Sequence, residues 1–352
     1  MDYSLLDLAS QNADVQRALS SAPAKMMAAR GMAPLANPAD LASVLYQICL
    51  DPDEKLNGAA RKSAVELPFA ILSGAMADSG IDPQVIDYFV GRAQCRAELL
   101  QIVVLNPQTA DETIADIAAT ADEKLADIIA ENQIRILRYS DIIAALYMNK
   151  KARMSTVDKV VELAVRHEMK VPKLPSWDEI SRAVLQSEKD GDLKENAVEM
   201  DAIFAKSQSS DAKEDEKEEK DIRKWGMSLK LRTAMVGTKF QRAVLIRDSK
   251  KMVCMAVIKS PAVKESEAAL YAGNNSICED VIGYIANRGD WTKKYKMKTT
   301  LVANPKCPLP AAMRFLPHLR AKDITAIARS RNVPSALSAQ AKKLKSVRGG
   351  RR

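Results

Sequence analysis

Apolar residues recur at helical spacing from about residue 38 to 168, which predicts a run of amphipathic helices. Residues 1–35 before it read as a weakly helical arm. The run Val171-Pro172-Lys173-Leu174-Pro175 ends this first stretch. Ser176, with Glu179 three residues later, has the capping-box pattern of a new helix. From about 188 to 222 the pattern is dominated by charge. Its most polar segment, 207–221, holds almost no apolar residues and is expected to be a solvated linker, part helical through its mixed charges. The chain thus divides into an arm (1–35), a helical-repeat domain (36–171), a helix with a charged flexible linker (172–225), a second helical-repeat domain (226–341) and a basic tail (342–352).

Helix starts are marked by a short polar residue followed by proline: Asn37-Pro38, Asp51-Pro52, Asp82-Pro83, Asn106-Pro107, Ser260-Pro261 and Asn304-Pro305. The polar side chain can accept a free backbone N–H, and proline fits the first helical position, where its missing donor costs nothing. Ser155 with Asp158 reads as a further cap, and Asp290 as another.

The segments also repeat. Asn106, Asn132 and Asn149 are separated by 26 and 17 residues; Ser260, Asn287 and Asn304 by 27 and 17. Apolar positions agree across the match, with Ile128-Ile129-Ala130 against Tyr284-Ile285-Ala286 and Leu146 against Leu301. A period of 43–44 residues falls within the range of HEAT and armadillo units, about 40–47. One such unit cannot bury its apolar face alone. The expected architecture is therefore all-α, an α-solenoid of HEAT/armadillo-like repeats in two halves joined by the charged linker.

Composition agrees with helices. Of 352 residues 47% are apolar but only 5% aromatic, a balance that suits close helix packing better than strands. The net charge of +8 hides an asymmetry. Residues 1–221 hold 25 basic and 38 acidic side chains (−13), and residues 222–352 hold 28 and 7 (+21). A domain this cationic attracts polyanions over about a Debye length. The five cysteines, at 49, 95, 254, 278 and 307, are too dispersed for a metal knuckle or redox motif and are expected to be buried thiols in a reducing compartment. No signal-peptide pattern and no apolar run long enough for a membrane helix is present, so a cytoplasmic protein without membrane insertion is expected.

Catalytic patterns are missing. His167 and His318 lie in no zinc-protease motif. Val236-Gly237-Thr238-Lys239 lacks the second glycine and the Lys-Ser/Thr order of a phosphate loop. No enzyme activity, metal or cofactor is expected. The positive signal is three basic clusters: Arg242, Arg247, Lys250 and Lys251; Arg288 to Lys298; and Arg314, Arg320, Lys322, Arg329 and Arg331. In the second, helical spacing puts Trp291, Tyr295 and Val302 on one apolar face and Lys293 and Lys296 opposite. Arg242, Arg247, Lys250, Lys251, Lys293, Lys296, Arg314 and Arg320 are the candidate partner-binding residues.

Three stretches in the second half, Lys230–Asp248, Trp291–Pro310 and Asn332–Leu344, and one in the first, Ala144–Lys159, resemble a family of bacterial helical-repeat proteins, chiefly myxobacterial and delta-proteobacterial. The resemblance implies a HEAT-like or leucine-rich-repeat-variant fold and carries no catalytic residue with it. The expected function is a non-enzymatic scaffold or adaptor that binds an acidic protein surface through the basic half. The alternatives are a sequence-nonspecific nucleic-acid binder using the same half, and docking of the acidic half on the basic one.

Overall fold

The computed structural model describes residues 3–92, 97–190, 197–209 and 216–349, and every regular element among them is helical. Contacts divide the chain into two compact units, Met1–Ala152 and Arg153–Arg352.

The first unit contains α1 (Ala13–Leu19), α2 (Ala22–Ala29), α3 (Pro38–Cys49), α4 (Glu54–Glu66), α5 (Phe69–Ala77), α6 (Pro83–Arg92), α7 (Ala97–Leu105), α8 (Asp111–Thr120), α9 (Glu123–Glu131), α10 (Gln133–Arg138) and α11 (Asp141–Met148). Alternate helices pack on one another: α3 on α5, α5 on α7 and α7 on α9. The N-terminal segment packs on this unit. Tyr3 joins an edge-to-face cluster with Tyr46 and Tyr88, Leu6 is buried, and the Tyr46 hydroxyl donates to the Ser4 carbonyl at 2.8 Å. Burial is the main reason the Tyr46 phenol is pushed up to about 12.

The second unit contains α12 (Met154–Arg166), α13 (Trp177–Asp190), α14 (Ala197–Ser209), α15 (Glu216–Lys224), α16 (Met227–Val236), α17 (Lys239–Leu245), α18 (Lys251–Lys259), α19 (Glu265–Ala272), α20 (Glu279–Asn287), α21 (Gly289–Thr292), α22 (Tyr295–Ala303), α23 (Leu309–Phe315), α24 (Ala321–Arg329) and α25 (Ser335–Gly349). Here α16 packs on α18, α18 on α20, α20 on α23 and α23 on α25.

The polar residues at the repeat boundaries do a different job from the one their sequence suggests. Asn37 and Asp82 cap the helices that start at the following prolines, accepting the N–H groups of Ala39 and Gln84. Asn106, Ser260 and Asn304 do not. Each is buried and begins a turn, accepts the backbone N–H two residues on, and is followed by a helix five residues later, at Asp111, Glu265 and Leu309. Asn149 does the same without a proline. The residue three places on, Thr109, Ala152, Val263 or Cys307, is also buried.

Each of these side chains also reaches back to the end of an earlier helix. Asn106 donates to the carbonyls of Met76 (2.7 Å) and Asp78 (2.9 Å), Asn149 to Ala118 (2.9 Å) and Ala121 (2.8 Å), Ser260 to Met235 (2.8 Å), and Asn304 to Ala272 (2.7 Å). The last carbonyls of a helix lack intrahelical partners, so the turn residue of one segment satisfies the end of another. Proline at the next position is then a turn residue, suited by its fixed φ. Asp51 likewise accepts from Asp53, and α4 starts only at Glu54.

Three other expected caps take other partners. Glu179 does not close a capping box with Ser176; it pairs with Lys259 at 2.7 Å. Ser155 lies inside α12 and gives its N–H and hydroxyl to Asp201 at 2.8 and 2.6 Å. Asp290 lies inside α21 and pairs with exposed Lys293 at 3.1 Å.

The segment expected as a linker also differs from that reading. Residues 210–215 lie outside the described residues. Around them Phe204 of α14 and Ile222 of α15 are buried, α13 packs on both α16 and α18, and α12 reaches α16 through Asp158 and Met154. The acidic residues between 153 and 221 therefore belong to the same unit as the cations after them. By unit the charge is −7 for residues 1–152 (13 basic, 20 acidic) and +15 for residues 153–352 (40 basic, 25 acidic).

At this junction Arg232 is fully buried, with its guanidinium 4.1 Å above the Phe204 ring and 3.6 Å from the Met154 sulfur. Asp158 accepts the Ser228 hydroxyl at 2.5 Å. Burial raises its carboxyl to about 6, against the opposing pull of Ser228 and Arg232 and with help from Asp201 and Glu162. A carboxyl with a raised folded value contributes stability below its unfolded value near 3.8 and loses that contribution as pH rises through about 6. The unfolding midpoint of the wild type should therefore fall relative to that of Asp158→Asn between about pH 4 and 6 and run parallel to it above about pH 7. A difference independent of pH would contradict this assignment.

Candidate functional site

The second unit's cations sort into three groups. The first is structural. Arg242, expected on the surface, is buried in α17, with its guanidinium pairing both oxygens of Glu267 at 3.0 and 2.9 Å and donating to the Gly237 carbonyl at 2.8 Å. Tyr271 also donates to Glu267, and burial together with this bond raises its phenol. Glu267 itself is lowered: burial works against its ionisation, but the bonds from Arg242 and Tyr271 and the charge of Arg242 outweigh it. Arg242 is therefore a structural residue and not a partner-binding one. A charge-paired, buried guanidinium cannot meet a partner.

The glycine loop is structural as well. Gly237 lies between α16 and α17, where an added Cβ would stand 2.4 Å from the Thr233 carbonyl and 2.7 Å from the Gln241 amide oxygen. The next residue, Thr238, forms a full capping box with Gln241. The close approach explains the glycine, with no phosphate required.

The second group is exposed but engaged within the molecule. Lys251 pairs with Asp280 at 2.6 Å, Lys293 with Asp290, and Lys294 with Glu265 at 2.7 Å. Such exposed pairs contribute about 0–1 kcal/mol and can be exchanged for a partner's carboxylates. Arg314 donates to the Ala286 carbonyl at 2.8 Å and lies over Phe315.

The third group comprises Arg247, Lys250, Lys296, Arg320, Lys322, Arg329 and Arg331. All are exposed, and among the described residues none has a carboxylate at ion-pair distance. Two sequence clusters meet here. The Tyr295 hydroxyl donates to Asp323 and accepts the Arg320 backbone N–H at 2.9 Å, while the Arg320 guanidinium sits 4.7 Å over the Tyr295 ring. This bond set brings the start of α22, with Lys293, Lys294 and Lys296, beside the start of α24, with Arg320 and Lys322. Asp323 was not legible as the linking residue, because its partner lies 28 residues away.

Aromatic rings in this region are covered. Trp291 is buried under the Arg288 guanidinium at 4.3 Å, edge-on to Tyr284. The helix expected across 291–302 is broken at Lys293-Lys294 into α21 and α22, yet Trp291 and Val302 still face inward.

His167 and His318 are exposed at the ends of helical segments. Among the described residues no group of three His, Cys, Asp or Glu side chains is placed to hold a metal ion, and no helix is long and apolar enough to cross a membrane. Comparison with family models, characterised proteins and solved structures found no match.

Proposed function

We propose that this protein is a non-enzymatic scaffold, an α-solenoid of HEAT/armadillo-like repeats that binds an acidic protein surface through the cations at the starts of α22 and α24. The α-solenoid reading draws on the alternate-helix packing and on the turn residues that recur at the sequence period. The resemblance to bacterial helical-repeat proteins points the same way. The observation that carries the binding reading is that the bonds of Tyr295 to Asp323 and Arg320 join the starts of α22 and α24, which carry Lys296, Arg320 and Lys322, with no carboxylate among the described residues at ion-pair distance from any of the three. Exposed cations that no carboxylate neutralises keep the field of the unit's excess charge.

Covered rings favour an acidic protein over a nucleic acid. Binding of single strands gains much of its strength from bases stacking on aromatic side chains, and Trp291 and Tyr295 are each covered by an arginine. The test uses the full chain, poly-L-glutamate and a mixed-sequence duplex DNA over a salt series. The expected result is binding to poly-L-glutamate that weakens with salt and falls about tenfold in the triple variant Lys296→Glu, Arg320→Glu, Lys322→Glu, as three exposed pairs at about 0.2–1 kcal/mol each imply. Equal binding by the variant would overturn the site. Tighter, equally variant-sensitive binding to the duplex would replace the acidic protein with a nucleic acid.

A further inference from the structure

Residues 3–7, outside any helix, lie against the paired helices α3 and α6 of the first unit. Three side chains of these helices hold the main chain of the segment. The Ser4 N–H donates to the Gln84 amide oxygen at 3.0 Å, the Tyr46 hydroxyl donates to the Ser4 carbonyl at 2.8 Å, and the Gln47 amide nitrogen donates to the Leu6 carbonyl at 2.9 Å. Two side chains of the segment anchor it. The Tyr3 ring meets those of Tyr46 and Tyr88 edge to face, and its hydroxyl donates to one Asp87 oxygen at 3.0 Å. Thr113 of α8 donates to the other oxygen at 2.8 Å, so the acceptor is oriented independently of Tyr3. Leu6 is the second anchor, buried, while Leu5 beside it is exposed. Asp7 ends the segment by capping the short turn Leu8–Ser10.

This seat reads a peptide in two ways. Bonds to main-chain groups supply strength with any non-helical chain, and side-chain anchors supply the choice among chains. The anchors here are a hydroxyl-bearing ring and a leucine three residues on. The reading groups are fixed in advance, because Tyr46 and Gln47 stand within α3 and Gln84 in the first turn of α6. Side chains so placed lose little freedom on binding. Tyr46 and Tyr88 are buried, and each loses a covering ring when the segment leaves. An aromatic surface of this kind needs an occupant. Because α1 packs on α3 by itself, the segment ahead of it can leave the seat while α1 stays in place.

We propose that α3 and α6 form a peptide-binding site for a partner protein's non-helical segment bearing a tyrosine and, three residues later, a leucine, and that residues 3–7 are its internal competitor. The tether through α1 gives the internal segment an effective concentration of about millimolar. A second copy of the chain offers the same segment without that advantage, so the occupant that displaces it is a partner with a better-fitting segment. The site lies in the first unit and is independent of the basic surface proposed above.

The probe is a synthetic peptide of residues 2–8, Asp-Tyr-Ser-Leu-Leu-Asp-Leu, with a fluorophore at the position of exposed Leu5. Binding to full-length protein is read by fluorescence anisotropy. The double variant Tyr3→Ala, Leu6→Ala, whose internal segment has lost both anchors, should bind the peptide at least about tenfold more tightly than the wild type, the factor by which a site filled nine-tenths of the time loses apparent affinity. Phenylalanine in place of the peptide's tyrosine should cost about fivefold, because Asp87 then lacks its donor. Gln47→Ala added to the double variant should weaken both peptides alike. In the wild type, millimolar peptide should raise hydrogen exchange in residues 3–7 and leave α3 and α6 protected. No binding by the folded double variant, binding equal to that of the wild type, or equal binding of the two peptides would overturn the proposal. An unchanged exchange profile would overturn it too, whether or not the double variant folds.

Discussion

Replacing Arg242 by alanine should lower the stability of the second unit by roughly 3–5 kcal/mol, the usual cost of leaving one member of a buried ion pair unpaired. Glu267 would keep only the Tyr271 hydroxyl, and the Gly237 carbonyl would lose its donor. Denaturant unfolding can be followed in this unit alone. The three tryptophans, Trp177, Trp225 and Trp291, all lie after residue 153, so their fluorescence reports only on it. The double replacement Arg242→Met, Glu267→Leu should recover much of the loss, because a buried pair is often close to neutral against apolar residues of similar volume. A single-variant loss below about 1 kcal/mol would mean that water reaches the pair.

Arg135→Ala should have the next largest effect, about 3 kcal/mol, and in the first unit. Arg135 is buried and donates to the carbonyls of Thr109 (2.6 Å) and Asn106 (2.7 Å) and to Asp111 at 3.2 Å. It therefore spans the whole turn between α7 and α8. Hydrogen exchange should show lost protection across α7 to α10 while the tryptophan transition stays in place. Arg135→Lys should recover only part of the protection, because a single ammonium cannot hold the two carbonyls in the planar fork of a guanidinium. Full recovery by lysine would show that charge, not geometry, holds the turn.

These two arginines show where sequence reading reaches its limit. The helical class was legible, because apolar spacing and the scarcity of aromatics are local properties. So were the positions of the turns. Asn106, Asn149, Ser260 and Asn304 were all found by spacing, but the first, third and fourth were read as helix starts. A polar residue before proline looks the same at a helix start as at the start of a turn. What separates them is the carbonyl that each side chain reaches, 25–32 residues upstream, and no local pattern encodes that.

Charge misled for a related reason. Arg242 counted as a surface cation because Glu267 is 25 residues away. The acidic stretch before residue 222 counted with the first half because it precedes the most polar run, although Asp158 and Glu179 face Ser228 and Lys259.

The recurring turns have one more consequence. In each, the first and fourth residues are buried, while the second, Pro107, Lys150, Pro261 or Pro305, is exposed. The anchors carry the fold, and the crest between them carries no packing. Such crests are where a chain tolerates change. The protein can therefore vary its outline one crest at a time, and even lengthen it there, while the buried anchors on either side keep the helices in register.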